Sequence, residues 1–109
     1  MSPSFFTNSV DDVIFRTMEI EFTSQIFKEG HTYVSYSPQL DISSCGRTKE
    51  KAHRNLLEAV RLFLEEAERM GTLEEILQES GYVKRRKKFD PPKFVSMQSV
   101  TLPLLHAKT

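Results

Sequence analysis

"SPQLDISSCGRTKEKAHRNLLEAVRLFLEEAERM" (Ser37 to Met70) is where the chain changes from one spacing of apolar residues to another. Its first third alternates, with Leu40 and Ile42 facing one way and Asp41 and Ser43 the other, the period of a half-buried strand. Gly46 breaks that strand, and Thr48 is a favourable N-cap for a helix. From there Ala52, Leu56, Val60, Phe63, Ala67 and Met70 recur at spacings of three and four, and Leu57 and Leu64 widen the stripe. The opposite side carries Lys49, Arg54, Glu58, Arg61, Glu65 and Arg69. The spacing predicts an amphipathic helix of about six turns, with Arg61–Glu65 and Glu65–Arg69 at the supporting i,i+4 distance. Burying each large apolar side chain contributes roughly 1.5–3 kcal/mol, and a lone helix has nothing to bury them against.

The residues before this stretch supply a platform. Met18, Ile20, Phe22 and Ile26 share one face of a strand, and Glu19, Glu21, Thr23 and Gln25 share the other. "KEGH" (Lys28 to His31) reads as a hairpin turn with Glu29-Gly30 at its centre, where glycine supplies a positive φ. "TYVSYS" returns with Val34 and Tyr36 on one side and Tyr33 and Ser35 on the other, until Pro38 ends the ladder. Three strands in this order make an antiparallel meander whose inward face can receive the helix. Residues 1–17 form an N-terminal arm, in which Phe5, Phe6, Val10, Val13, Ile14 and Phe15 could build a short helix capped by Asn8 or Ser9, or a frayed terminus.

Beyond the long helix, Gly71 is a stop, and Thr72 with Glu75 forms a T-x-x-E capping box for a short second helix carrying Leu73, Ile76 and Leu77. Gly81 suits the position after its end. "VKRRKKFDPPK" reads as a basic, proline-containing connector, and "FVSMQSVTLPLL" as a last strand that Pro103 would end. The expected class is α+β: a three-stranded antiparallel meander packed by a long amphipathic helix, a short second helix, and a C-terminal strand that closes the sheet or is exchanged with a neighbour's. The units are an arm over 1–17, a core over 18–83, a connector over 84–93, and a strand and tail over 94–109.

With 109 residues, 39% hydrophobic and 28% charged, the composition is that of one ordinary globular domain. Fifteen basic residues balance fifteen acidic ones, so no global field points to nucleic acid or an anionic membrane. A single cysteine makes no internal disulfide, and no Cys/His spacing suits zinc. The N-terminus lacks a basic segment followed by an apolar one, with Asp11 and Asp12 interrupting it. No apolar run approaches the ~20 residues needed to span a bilayer. A cytoplasmic protein without membrane contact is expected.

Candidate chemistry is sparse. Ser43, Ser44 and Cys45 lie at a strand-to-helix corner, but the G-x-S-x-G and G-K-[ST] patterns are absent, and Arg47 follows Cys45 too closely for a phosphate-binding loop. No histidine has a sequence reason to act as base there: His53 falls near the exposed side of the helix, and His31 and His106 stand alone. A turn without catalysis, no metal and no cofactor are therefore expected. Lys84, Arg85, Arg86, Lys87 and Lys88 form the one local concentration of charge, able to touch phosphates or simply to be solvated behind a helix C-terminus.

The segment "EGHTYVSYSPQLDISSCGRTKEKAHRNLLEAVRLFLE" resembles the HicB-like antitoxin family. "YVSYSPQLD" is similar to that family's Y-V-A-x-C-P-E-L segment, and "SCGRTKEKAHRNLLEAVRLFLE" to its S-x-G-x-T-x-x-E-A-x-x-N-L-x-E-A-x-x-L-x-L-E segment, with Gly46, Thr48, Asn55, Leu56, Glu58 and Ala59 in register. Gln39 replaces the usual glutamate, "LDISSCG" replaces the commoner L-P-G-C form, and Lys51 and His53 stand where acidic or small residues are frequent. The resemblance covers about residues 18–83 and implies a partial ribonuclease-H-like fold without ribonuclease activity; the strands offer only Glu19, Glu21 and Asp41 as acidic residues. It further implies a non-enzymatic antitoxin of a type II toxin–antitoxin system that blocks a small HicA-like mRNA-cleaving ribonuclease.

From Lys49 to Gly81 there are eight acidic and five basic residues, a net of −3, so the helical side suits a basic partner. Glu58, Glu65, Glu66 and Glu68 are the candidate partner-binding residues, together with an exposed strand edge. Only 28 residues follow Gly81, so no dedicated operator-binding domain is expected, whereas a homo-oligomer through the last strand is. The alternatives are a nucleic-acid-binding regulator using Lys84 to Lys88, and an orphan HicB-like protein without a toxin.

Overall fold

The computed structural model describes residues 18–107, so the expected arm over 1–17 and the last two residues of the tail lie outside the described residues. Eight elements follow in order: β1 (Glu19–Ile20), β2 (Gln25–Glu29), β3 (Thr32–Ser37), β4 (Ile42–Gly46), α1 (Lys49–Met70), α2 (Leu73–Glu79), β5 (Val83–Lys84) and β6 (Lys88–Asp90). The chain is α+β, as its patterning predicts. Strands β2, β3 and β4 form the antiparallel meander, and β1, β6 and β5 form a second small sheet in which β1 and β6 run parallel.

The long helix begins and ends on sequence-encoded caps. The Thr48 hydroxyl accepts from the Lys51 amide at 3.0 Å. At the other end Gly71 takes φ 77°, so its amide reaches Glu68 O and the Thr72 amide reaches Ala67 O, the paired closure that a left-handed glycine permits. Gly81, at φ 88°, ends α2 in the same way, through its own amide on Gln78 O and that of Tyr82 on Leu77 O.

Helix α1 lies on the meander face formed by Tyr33, Ser35, Ser37, Ile42, Ser44 and Gly46. That face is small, and the helix comes close. Ser35 is fully buried and its hydroxyl donates to Ala52 O at 2.7 Å. A Cβ on Gly46 would stand 2.6 Å from the Ala52 nitrogen and 2.9 Å from the Lys51 carbonyl carbon. Asn55 Nδ2 donates to Cys45 O at 2.7 Å, fastening the strand to the helix from the side. The core then widens around Leu40, Leu56, Val60, Leu77, Tyr82 and Phe89, with Met18, Ile20, Phe22, Ile42, Leu64 and Leu73 packed at its rim.

Five expectations are corrected. The predicted first strand, Met18 to Ile26, is broken at Glu21–Ser24, because the Gln39 side chain takes the place of a strand partner: its Oε1 accepts from the Thr23 amide at 2.9 Å and its Nε2 donates to Thr23 Oγ1 at 2.7 Å. The hairpin centre is Gly30-His31 rather than Glu29-Gly30, since Glu29 pairs with Thr32; glycine takes the first central position at φ 61°. Thr72 makes no capping box, because its hydroxyl turns back to Ala67 O at 3.4 Å. The stretch expected as a connector is a hairpin, β5–β6, with Arg86-Lys87 at its tip, and the Arg85 amide bonds to Lys88 O at 2.7 Å. Finally, the position beside β1 belongs to β6, so residues 94–107 close no sheet within this chain. Pro91 and Pro92, which lack backbone donors, end the β6 ladder, and Pro92 sits against Gly81.

Tyr82 joins the two halves of the core. It is 5% exposed, and its hydroxyl donates to Glu21 O at 2.8 Å across 61 positions of sequence. Burial, with a smaller contribution from the Glu21 carboxylate, pushes its phenol from 10.0 to about 12. The neutral form is thus favoured in the folded state, so this stabilisation is complete below pH ~10 and is lost as pH rises toward ~12. Tyr82→Phe is expected to cost about 1 kcal/mol at neutral pH through the lost hydrogen bond and to flatten the alkaline decline, both read from urea unfolding at pH 8 and above pH 10. Gly46→Ala is expected to cost about 1–3 kcal/mol by forcing α1 off β4. Gly30→Ala, with nothing within 4 Å of its Cβ, should incur only the left-handed penalty of about 1–2 kcal/mol, a comparison that urea midpoints decide.

Candidate functional site

The strand-to-helix corner is built as a support for α1. Ser44 and Gly46 point toward the helix side of β4, while Ser43 and Cys45 lie on the other face and are exposed. His53 Nδ1 is hydrogen-bonded to Ser24 Oγ at 2.9 Å, across an open groove lined by Glu19, Phe22, Ser24, Leu57 and Lys88. His31 occupies the β2–β3 turn and His106 the exposed tail. The structure therefore engages the His53 imidazole with Ser24, on the helix side of the sheet, and leaves Cys45 on the opposite face. Among the described residues no group of three or more His, Cys, Asp or Glu side chains is placed to hold a metal ion.

Glu58, Glu65 and Glu68 share the outward side of α1, whereas Glu66, two positions before Glu68, lies on the flank of Asn55, Ala59, Leu62 and Met70; all four are exposed, and most of them hold a cation already. Arg61 Nη2 donates to Glu58 at 2.5 Å and Arg61 Nη1 to Glu65 at 3.0 Å, and Arg69 pairs with Glu66. Glu68 has no ion pair among the described residues. The Arg61 hydrogen bond, reinforced by its charge, holds the Glu58 carboxyl below the usual carboxylate range, and the same two carboxylates raise Arg61. All these side chains are more than half exposed, so the pairs add little to stability and can be exchanged for those of a partner.

The basic run is drawn inward by the same kind of contact. Lys84 pairs with Glu74 at 2.5 Å, Arg85 with Asp90 at 3.1 Å, and Lys88 with Glu21 at 2.8 Å and Asp90 at 3.6 Å. The hydrogen bond to Glu21 raises Lys88 first, and Asp90 adds to it. Among the described residues Arg86 and Lys87, at the hairpin tip, make no ion pair. The sequence showed five adjacent cations; the hairpin splits them into three that fasten the small sheet and two that face solvent.

Periodicity overestimates the buried width of α1. Ala52, Leu56, Val60 and Ala67 are buried, whereas Leu57, Phe63 and Met70 are exposed, as is Leu62, which lies off the predicted stripe. The helix, about 33 Å long, outruns the five-residue β4 beside it. Helical spacing puts Asn55, Ala59, Leu62, Phe63 and Met70 on one flank, fastened to β4 at Asn55 and uncovered further along. The sequence signal for this flank was the apolar Leu62-Phe63 pair, set among charged neighbours. The chain matches no protein-family model, no curated protein and no solved structure at a significant level.

Arg61→Ala is expected to return the Glu58 carboxyl toward the ordinary glutamate range while the melting temperature stays unchanged. A carboxyl-carbon NMR titration checks this, and the sign is definite: removing the cation moves the titration to higher pH.

Proposed function

We propose that this chain is a protein-binding module of the HicB-like antitoxin type, which neutralises a small, basic, HicA-like mRNA-cleaving ribonuclease by occluding its active surface. The observation that carries the reading is local: four of the six residues in register with that family's pattern have a structural task at the docked helix. Gly46 allows the close approach, Thr48 caps α1, Asn55 fastens β4, and Leu56 is fully buried. Their agreement supports a shared strand–turn–helix, and the partner is inferred from the surface that this unit leaves open. Glu58, Glu65 and Glu68 stand on the outward side of α1 and Glu66 on its flank, all of them exposed, in a region of net charge −3. A cationic nuclease face could compete for those carboxylates with little loss to the fold, since the internal pairs are exposed and weak.

The basic hairpin favours this reading over a nucleic-acid regulator. Three of its five cations are paired with Glu74, Asp90 and Glu21, which leaves Arg86 and Lys87 facing solvent at the tip, and no aromatic platform or recognition helix accompanies them.

Co-expression of the chain with the product of the adjacent open reading frame is the direct test. A small basic protein that arrests growth alone, and is both rescued by and co-purified with this chain, is the expected result. Glu65→Lys with Glu68→Lys should weaken capture by at least tenfold and reduce its salt dependence. A locus without such a neighbour, or a toxic neighbour that fails to bind, would defeat the proposal.

A further inference from the structure

The fourteen residues from Phe94 to Ala107 contain no Asp, Glu, Lys or Arg, in a chain where 28% of residues are charged. Phe94, Val95, Met97, Val100, Leu102, Leu104 and Leu105 are each between 70% and 101% exposed. The segment forms no sheet or helix within the chain. The described chain measures 80 × 29 × 25 Å, and fourteen extended residues can span about 45 Å, so the long dimension is that of a body with a strand-like arm reaching out of it. A long, uncharged, β-forming segment held in water is an unguarded template for pairing.

In its own chain the arm pairs with none of the terminal strands β1, β5, β2 or β4. One edge of β1 is taken by β6, the Pro91-Pro92 pair stops that ladder, and Pro92 against Gly81 sets the departure of the arm. The body, meanwhile, keeps an apolar flank with no cover. Along α1, Ala59, Leu62, Phe63 and Met70 follow Asn55 at helical spacing, with the Arg69-paired Glu66 between them, and Leu62, Phe63 and Met70 are 53%, 38% and 62% exposed. Asn55 holds the Cys45 carbonyl, so this flank begins at β4, a terminal strand of the meander.

We propose that the arm from Phe94 to Leu105 docks on a second copy of this chain, running beside β4 and laying its apolar side chains on the Ala59–Leu62–Phe63–Met70 flank, with the second arm doing the same in return. An extended arm turns alternate residues to opposite faces, so Phe94, Val100, Leu102 and Leu104 meet the flank together; at about 60–120 Å² per large side chain, these residues of both arms remove on the order of 700 Å² of apolar surface before the covered flanks are counted. With the surface of the covered flanks added, which about doubles that figure, the total reaches the range of a stable interface, ~1,200–2,000 Å². Reciprocal exchange closes the assembly at two chains, whereas one-way insertion would continue into a filament. This dimer is independent of the antitoxin reading and is measured without any toxin.

Light scattering coupled to size exclusion on the full chain tests it. The expected mass is twice the 12.6 kDa of one chain. Val100→Asp with Leu102→Asp, at positions 70% and 78% exposed, should leave the circular dichroism spectrum unchanged and yield a monomer. Leu62→Asp should weaken dimerisation by tenfold or more with the helix intact. A wild-type monomer at high micromolar concentration, an open-ended polymer, or a dimer indifferent to the Val100/Leu102 pair would overturn arm exchange. A dimer lost with the arm variants but indifferent to Leu62→Asp would overturn the α1 flank as the docking surface.

Discussion

The approach of α1 to β4 is the constraint on which the rest of the structure depends. It is a contact made by absence: Gly46 has no Cβ to hold off the Ala52 nitrogen, and Ser35 and Ala52 are small enough for a hydroxyl to reach the helix carbonyl at 2.7 Å. Seated there, the helix aims Leu56 and Val60 into the same space as Leu40, and α2 follows through the Gly71 closure to bring Leu77 beside them. Tyr82 and Phe89 complete that core from the small sheet. A buried hydroxyl such as Ser35 is tolerated because its partner is a backbone carbonyl, which leaves neither group unsatisfied.

The same close docking explains why the surface is divided as it is. A helix longer than its supporting strand keeps one stripe buried along its length, from Ala52 to Ala67, and leaves the rest in solvent, so α1 offers an acidic side and a largely apolar flank at once. Its acidic side is loosely self-paired, and on its flank Glu66 pairs with Arg69. The charged hairpin behaves oppositely: Lys84, Arg85 and Lys88 are spent on local carboxylates and act as fasteners of the β1–β6–β5 sheet. Proximity in sequence put five cations together, and the β5–β6 turn separated them by alternating their directions along the ladder.

Patterns with short reach were legible from residues alone. The period of α1, the Thr48 cap, and the Gly71 and Gly81 closures each depend on neighbours within about five positions, and the meander on alternation and one glycine turn. Failures occurred where another partner competed, distant in one case and local in the other. Gln39 interrupted the first strand by taking the Thr23 amide, and Thr72 gave its hydroxyl to Ala67 O instead of a capping box. Helical geometry places Glu58, Glu65 and Glu68 on one side of α1 and sets Glu66 apart on the Leu62 flank, while the existing ion pairs could not be read from spacing alone.

The sequence by itself determined the class of the fold, the limits of both helices and the order of the meander strands, because propensity, capping and periodicity act through the adjacent chain. Only the tertiary structure decided that Lys88–Asp90 lies parallel to Glu19–Ile20, that Tyr82 reaches Glu21, and that the segment after Pro92 stands free of its own sheet. Those outcomes depend on which groups meet across 60 or more positions, and no local preference carries that information.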